Sequence, residues 1–165
     1  MAEHLVTIRH NFETAHRLPA LGGKCVSLHG HSWWVELTIT APYDPEQGTV
    51  VEYGAAKRRV RDWIDTHLDH GVMLGQDDPL LHLLPDHGCK VYAFGSDHPS
   101  AGLRWPTVEN VAELLARVGD QVLADLGGRV IRSRVQETHV NAAEWTAPAA
   151  SLALAVEPDR AGDSV

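Results

Sequence analysis

Two segments near the start of the sequence, in which apolar and polar residues alternate, constrain the fold more than any other feature. In residues 3–16 one side of the alternation carries Val6, Ile8, His10, Phe12 and His16. In residues 29–40 one side carries His29, His31, Trp33, Val35, Leu37 and Ile39. A period of two is typical of a β-strand with one buried face. The sequence therefore predicts two neighbouring antiparallel strands whose buried faces both carry histidines.

Helical spacing of apolar residues predicts two helices further along the chain. The first ends at about Leu68, and the second begins after a cap at Thr107 and ends at the pair Gly127–Gly128. Prolines and glycines interrupt residues 75–105, which are predicted to be mostly loop with a short strand at residues 90–94.

Two more strands complete the predicted order of elements. The third covers residues 131–139, with Ile131, Val135 and Glu137 on its inner face, and the fourth lies near residues 143–148. The order strand, strand, helix, helix, strand, strand (ββααββ) indicates an α+β fold. In that fold two helices cover one face of a four-stranded antiparallel sheet.

Length and composition favour one globular domain. The chain has 165 residues, 44% of them hydrophobic and 22% charged, which is the ordinary range for such domains. We expect one domain over residues 1–156, with an edge strand at 151–156 and a flexible tail at 157–165. Neither a secretion signal nor a membrane-length apolar run is visible, so we expect a cytoplasmic protein without membrane contact. The net charge of −8 argues against a nucleic-acid partner.

Three histidines are candidates for a metal site. His29 and His31 lie two residues apart on a strand, so both imidazoles leave the same face. Antiparallel pairing would bring His16, at the end of the preceding strand, close to them. Three imidazoles suit Zn²⁺ and leave its fourth position open, as catalytic zinc sites do. Hydrogen-bonded core histidines are the alternative, which we disfavour because several unpaired buried imidazoles would be costly.

Cys25 has two interpretations that its spacing does not separate. It lies four residues before His29 and could be a fourth metal ligand, which would make the metal structural. Alternatively, its thiolate stands beside the metal and acts as a base. The other cysteine, Cys89, is interpreted as incidental.

Several further polar residues have both a structural and a functional interpretation. Asp69 and His70 follow the first helix, where they could form a proton-transfer pair or cap the helix. Glu109 lies in the first turn of the second helix, where the helix dipole favours a negative charge. Glu137, on an apolar face, must accept hydrogen bonds from protein or ligand, because burying it unpaired would be costly.

Taken together, these residues resemble the 6-pyruvoyl-tetrahydropterin synthase / 6-carboxytetrahydropterin synthase family. The matching pieces stand in the family's order and extend from Phe12 to about Trp145. They are Phe12-x-x-x-His16, Gly23-Lys24-Cys25-x-x-x-His29-Gly30-His31, Leu68-Asp69-His70, Pro106-Thr107-x-Glu109-Asn110 and Glu137-Thr138. The spacing Cys-x-x-x-His-Gly-His is more similar to the bacterial 6-carboxytetrahydropterin synthases than to the animal pyruvoyl enzymes.

The resemblance implies an assembly and a set of residue roles. The fold would be a tunnelling fold (T-fold), in which three subunits form a barrel and two trimers stack into a homohexamer with active sites between subunits. The implied zinc ligands are His16, His29 and His31, and the implied general base is Cys25. Asp69 and His70 would complete a proton relay, Glu137 would anchor the pterin ring, and Thr107 and Glu109 would line the pterin pocket.

The resemblance also implies a reaction. Family members act on 7,8-dihydroneopterin triphosphate. The carboxy branch cleaves the side chain, releasing acetaldehyde and triphosphate, to give 6-carboxy-5,6,7,8-tetrahydropterin on the route to queuosine. The pyruvoyl branch eliminates triphosphate instead of cleaving the side chain. The chain departs from the usual family pattern at Glu52-Tyr53, at Trp33-Trp34 and in a longer loop at residues 95–105.

Three functional hypotheses therefore remain open at the level of sequence. The first is a zinc-dependent pterin lyase of the carboxytetrahydropterin type. The second is an enzyme for another pterin, such as a dephosphorylated one, because a chain of net charge −8 repels a triphosphate unless local cations attract it. Only Arg17 and Lys24 are cationic near the histidine motif. The third is a zinc-binding or pterin-binding protein without turnover, in which Cys25 is a ligand.

Overall fold

The computed structural model describes residues 4–148, which form a mixed sheet and the helices that cover one of its faces. The strands are β1 (Val6–His16), β2 (His29–Thr40), β3 (Gly71–Gly75), β4 (Val91–Phe94), β5 (Arg129–Gln136) and β6 (Ala142–Thr146). The α-helices are α1 (Tyr53–His67), α2 (Leu80–Leu83) and α3 (Val108–Leu123). The predicted edge strand at 151–156 and the predicted tail at 157–165 lie outside the described residues.

The α+β class is confirmed, but the sheet is larger than predicted. Its six strands lie in the order β4-β3-β1-β2-β5-β6, with β3 parallel to β1 and β4 parallel to β3. The predicted four-stranded, purely antiparallel sheet and the order ββααββ are therefore wrong in detail, and within residues 4–148 there are three α-helices rather than two. The predicted short strand at residues 90–94 is confirmed as β4. β3 was not predicted, because its five residues are too few to show a period. β3 is a short apolar run without alternation, as is usual for buried parallel strands.

The predicted pairing of the first two strands is confirmed. β1 and β2 pair antiparallel from Val6 opposite Ile39 to His16 opposite His29. The residues predicted to face inward lie under α1 and α3, and Trp33, Phe12 and Ile39 are almost completely buried. The two long strands therefore contribute both the floor of the core and, at one end, the histidines.

Local chemistry explains where the long helices begin. The Thr107 hydroxyl accepts a hydrogen bond from the Asn110 N–H at 3.3 Å, which confirms the predicted cap of α3. The Glu52 carboxylate accepts bonds from the N–H groups of Gly54 and Ala55, at the start of α1. Glu52, one of the departures from the family pattern, therefore functions as a helix cap.

One inward-facing residue of β5 was predicted wrongly. Thr38 pairs with Arg132 and Ile39 pairs with Val130, so the register shifts and Ile131 has no cross-strand partner. This bulge turns Val130 into the core, where it is 1% exposed, in place of Ile131. An irregularity of this kind leaves no trace in the alternation. The strand also ends at Gln136, so Glu137 is the first residue beyond it.

Among the described residues, no helix combines the length and the apolar character needed to cross a membrane.

Truncating the core should destabilise the fold far more than truncating an exposed leucine. Leu115 of α3 is fully buried, whereas Leu21 is 69% exposed. We expect Leu115→Ala to lower the free energy of unfolding by about 2–5 kcal/mol through lost burial and the cavity it leaves. Leu21→Ala should change it by less than about 0.5 kcal/mol. Chemical denaturation of both variants tests this, and equal effects would contradict the placement of α3 on the sheet.

Candidate functional site

The three predicted histidines converge at one end of the β1–β2 pair. His16 lies directly opposite His29, and His31 leaves the same face two residues further along β2. Their ring centroids are separated by 4.7 Å (His16 to His29), 4.9 Å (His29 to His31) and 5.2 Å (His16 to His31). One ring nitrogen of each lies within 4.8 Å of those of the other two, close enough for all three to hold one metal ion. We call these residues the histidine triad.

Backbone carbonyls fix the orientation of two of the three rings. The Nδ1 atom of His16 lies 2.8 Å from the carbonyl oxygen of Pro106, and that of His29 lies 2.8 Å from the carbonyl oxygen of Ser27. Because a carbonyl oxygen can only accept, each Nδ1 donates, and each Nε2 is left with a lone pair. Metal-binding histidines are commonly held by such an outer hydrogen bond. Neither carbonyl partner could be identified from side-chain patterns in the sequence.

Two of the Nε2 atoms are buried without a hydrogen-bond partner in the described part of the chain, those of His16 and His31. Burial, reinforced by the neighbouring His29 and His31, lowers the pKa of His16 to about 4, against the hydrogen bond to Pro106. Burial also lowers the pKa of His31, although the charge of Glu137 opposes it. The His16 and His31 rings are therefore neutral near pH 7 and can donate their lone pairs. Such a donor set fits a zinc ion.

The Trp33 ring packs edge to face against two rings of the triad, those of His16 and His31. Its indole Nε1 donates to the carbonyl oxygen of Thr14 at 3.0 Å, which fixes the position of the ring system. The edge-on contacts place its centroid 5.1 Å from that of His16 and 5.6 Å from that of His31. Trp33, a departure from the family pattern, is thus a structural support of the triad, a role the sequence analysis did not assign.

Glu137 lies beside the triad. Its Oε1 atom is 3.3 Å from His16 Nε2 and 3.9 Å from His31 Nε2. The turn that follows β5 positions the residue, because the Glu137 N–H donates to the carbonyl oxygen of Asn141. The carboxylate, whose side chain is 17% exposed, thus adds a negative charge and two acceptor oxygens at the point where the imidazoles meet. Its predicted role in anchoring a pterin stays a prediction.

Cys25 lies in a 3-10 turn, Gly23–Val26, between the two long strands. The turn is tied to the end of β1, because the carbonyl oxygen of Cys25 accepts from the Leu18 N–H at 2.7 Å. The thiol is half-buried, and among the described residues it is not part of the group that could share a metal ion. Cys89 is exposed and free.

Asp69 and His70 form a hydrogen-bonded pair in the turn between α1 and β3. The Nδ1 atom of His70 lies 2.6 Å from Asp69 Oδ2, and Asp69 Oδ1 accepts from the Glu13 N–H at 2.8 Å. Burial raises the pKa of Asp69, but the Glu13 N–H, His70 and Lys90 together hold it below its ordinary value. The carboxylate is therefore charged and keeps the proton of His70 on Nδ1.

The turn holds His70 in an unusual backbone conformation. Its φ of 54° lies in the left-handed region, which costs a residue with a side chain of order 1–3 kcal/mol. The His70 N–H donates to the Glu13 carbonyl oxygen, and Lys90 Nζ donates to the carbonyl oxygens of Asp65 and Asp69, each at 2.7 Å. These bonds present the His70 side chain, which is 79% exposed, to the surface. Its role in proton transfer stays a prediction.

The chain reaches the triad just before Thr107 and Glu109, because the carbonyl oxygen of Pro106, the residue before Thr107, is the hydrogen-bond partner of His16. Thr107 is half-buried and its hydroxyl caps α3, whereas Glu109 is exposed in the first turn of that helix. In the structure Thr107 is therefore the N-terminal cap of α3. Their contribution to a pterin pocket stays a prediction.

The two cations near the histidine motif differ in availability. Arg17 Nε lies 3.1 Å from Oδ2 of Asp78, whose side chain is completely buried, so this positive charge is largely balanced. Lys24 is exposed in the Gly23–Val26 turn. The triad therefore lacks a strong cationic neighbourhood among the described residues.

Comparisons with known proteins agree with this architecture. The chain is 33% identical over 108 residues to 6-carboxy-5,6,7,8-tetrahydropterin synthase of Rickettsia typhi, a match that covers 64% of this chain and 72% of the relative. The protein of the same name from Rickettsia bellii is 35% identical over 108 residues, which again cover 64% of this chain and 72% of the relative.

Solved structures are similar in fold. A 6-pyruvoyl tetrahydropterin synthase from Caenorhabditis elegans superposes with a TM-score of 0.61 at 21% identity, covering 90% of this chain and all of that one. An uncharacterized protein from Wolinella succinogenes gives a TM-score of 0.67 at 20% identity, covering 88% and 99%.

The mixed sheet, its helical cover and the histidine triad define an α+β protein of the pterin synthase class. The family profile described as 6-pyruvoyl tetrahydropterin synthase matches residues 5–148, and the chain belongs to this family.

Removing the charge of Lys90 should raise the pKa of Asp69. Lys90→Met deletes a positive charge near this carboxylate and frees the turn that carries it. We expect an upward shift of the Asp69 carboxyl titration in NMR, with Lys90→Arg shifting it less. Lys57→Met, near the N-terminal end of α1 and so remote from Asp69 beyond its C-terminal end, is the matched control and should leave it unchanged. An unaltered titration in Lys90→Met would show that Glu13 and His70 alone hold the carboxylate.

Proposed function

We propose that His16, His29 and His31 hold a zinc ion. The observation that carries this proposal is that the buried Nε2 atoms of His16 and His31, beside a third imidazole, have no hydrogen-bond partner among residues 4–148. Without a ligand these atoms would leave desolvated lone pairs uncompensated. A zinc ion bound here would supply Lewis acidity, lowering the pKa of a substrate hydroxyl and stabilising negative charge on its oxygen.

We propose further that the protein is a pterin lyase that converts 7,8-dihydroneopterin triphosphate to 6-carboxy-5,6,7,8-tetrahydropterin. Relatives of that name at 33–35% identity support the reaction, and the spacing of Cys25, His29 and His31 supports the carboxy branch. Triphosphate elimination of the pyruvoyl type is the alternative within the family.

The residues around the triad take distinct roles in this proposal. The Glu137 carboxylate accepts two N–H bonds from the aminopyrimidinone edge of the pterin, a bidentate arrangement that fixes the ring. The Glu137 carboxylate lies beside the triad, 3.3 Å from His16 Nε2, which supports a place for it in the same site. Thr107 and Glu109 line the pocket beyond Pro106.

Proton transfer falls to Cys25 and to the Asp69–His70 pair. Cys25 removes a proton from the substrate side chain as the general base, and its position outside the metal-capable group of described residues supports a base over a fourth ligand. Asp69 keeps the His70 proton on Nδ1, so His70 Nε2 is free to accept a proton and pass it on. The exposed His70 ring supports a site that a neighbouring subunit covers, in the homohexamer of two stacked trimers.

A dephosphorylated pterin is the second candidate substrate. The observation that favours it is the pairing of Arg17 with buried Asp78, which reduces the positive charge available to a triphosphate. A zinc-binding or pterin-binding protein without turnover is the alternative from another class.

Incubation of the zinc-loaded protein with 7,8-dihydroneopterin triphosphate tests the substrate. We expect mass spectrometry to detect 6-carboxytetrahydropterin. A parallel incubation with 7,8-dihydroneopterin gives product only if the dephosphorylated substrate is the natural one. Zinc and pterin bound with no product from either would contradict an enzyme and favour the binding protein.

Replacing Cys25 separates the base from the ligand. We expect Cys25→Ala to retain one zinc per chain by elemental analysis and to lose turnover by at least about 100-fold, the usual range for a general base. Cys89→Ala removes an exposed cysteine and should leave both quantities unchanged. Loss of zinc in Cys25→Ala would show that the thiolate is a ligand.

A further inference from the structure

A separate cavity of about 300 Å³ lies between the N-terminal half of α1 and the strands β1 and β2. Its inner wall is formed by aliphatic residues, namely Ile8, Val35, Leu37 and Val60, and no aspartate or glutamate of the described part of the chain lines it. His10 lies six residues before His16 on β1, which places the cavity roughly 20 Å from the triad along the strand. The cavity is therefore not part of the site described above.

The mouth of the cavity carries three cationic side chains of α1, those of Lys57, Arg58 and Arg61. All three are exposed, and none donates a side-chain hydrogen bond to another described residue. Their spacing places them on neighbouring positions of the helix surface. Lys57 Nζ lies 6.0 Å from the ring centroid of Tyr53. A fourth cationic residue, Arg9, also lines the cavity, but its guanidinium lies over the ring of Trp34 and its Nε atom lies 3.6 Å from a Glu36 carboxylate oxygen, so it is left out of the site.

The acidic groups near this mouth leave these donors available. Arg61 lies 3.5 Å from a carboxylate oxygen of Asp62 and 3.9 Å from one of Asp65, both longer than a hydrogen bond. Glu52 is near Arg58, whose charge helps to lower its pKa, but its oxygens accept from the N–H groups at the start of α1. The guanidinium and ammonium N–H donors can therefore bind an anion without breaking an internal hydrogen bond.

A buried ring nitrogen, that of His10, lies on the side of the cavity formed by the sheet. His10 is on the inner face of β1, and its Nε2 atom is buried without a hydrogen-bond partner among residues 4–148. The Asp65 Oδ1 atom lies 3.6 Å from it. A buried imidazole nitrogen without a partner costs free energy unless a ligand or a water molecule bonds to it.

We propose that this cavity, which we call the α1 cavity, binds a phosphate group, either as free phosphate or as part of a small phosphate ester. Two guanidinium groups and an ammonium group lie at the mouth of one cavity, and an imidazole lies in its wall. The oxygens of a tetrahedral dianion accept hydrogen bonds from guanidinium and ammonium groups. The aliphatic inner wall would contact the organic part of an ester. The proposal does not rest on the proposed function, because it uses none of the residues of the triad or of the proton relay.

Isothermal titration calorimetry of the full chain with inorganic phosphate and, separately, with phenyl phosphate tests the proposal. We expect one site per chain. The double variant Arg58→Gln/Arg61→Gln should weaken binding by at least about tenfold, because it removes two charged donors. Both arginines are exposed, so the variant should fold, which its circular dichroism will check. The matched control is Arg134→Gln, an exposed arginine of β5 that does not line the cavity.

The results of these titrations distinguish an ester from free phosphate and the α1 cavity from the triad. Tighter binding of phenyl phosphate than of inorganic phosphate supports an ester, and equal binding supports free phosphate. His29→Ala should leave phosphate binding unchanged, since a loss would place the phosphate at the triad and overturn the proposal. The absence of binding, equal binding by the double variant, or the same loss in Arg134→Gln would also overturn it.

Discussion

The antiparallel register that pairs His16 with His29 is the constraint on which the rest of the structure depends. Directly opposite residues lie close together and residues two apart leave the same face, so this one register brings three imidazoles together. The same pairing sets Phe12 beside Trp33 under the helices. A slip of one residue would turn both the histidines and the core residues to the other face, so the fold and the site are specified together.

The triad and the Asp69–His70 pair differ in their exposure to solvent and in the interactions that hold them. The triad lies in a desolvated place, where burial keeps His16 neutral and backbone carbonyls fix its ring. The pair instead lies near the surface, where hydrogen bonds from Glu13 and Lys90 hold a charged carboxylate and an unfavourable backbone angle at His70. One arrangement leaves a buried, neutral imidazole with a free lone pair, and the other holds an exposed imidazole against a charged carboxylate.

Much of this architecture was predictable because it depends on patterns with a clear period. The alternation in β1 and β2, the helical spacing around Ile64 in α1 and the Thr107 cap of α3 each reflect a local rule. The convergence of the triad followed from the same alternation. The strands β3 and β4 were not predicted as a pair, because runs of four or five residues are too short to show a period. The bulge that buries Val130 instead of Ile131 was equally invisible, because it arises from pairing with β2.

The sequence by itself determined which residues could do chemistry, because residue type and spacing along a strand or helix are local properties. It identified the three histidines, Cys25, the Asp69–His70 pair and Glu137 as a set. Only the tertiary structure decided the orientation and the hydrogen-bond partners of these side chains. Carbonyl oxygens of Pro106 and Ser27 set the imidazole tautomers, and Lys90, which directly precedes β4, supports Asp69. The Pro106 and Lys90 contacts join residues that are far apart along the chain, so they exist only after the sheet has formed. The Ser27 contact is local, but it uses a backbone carbonyl oxygen that no side-chain pattern marks.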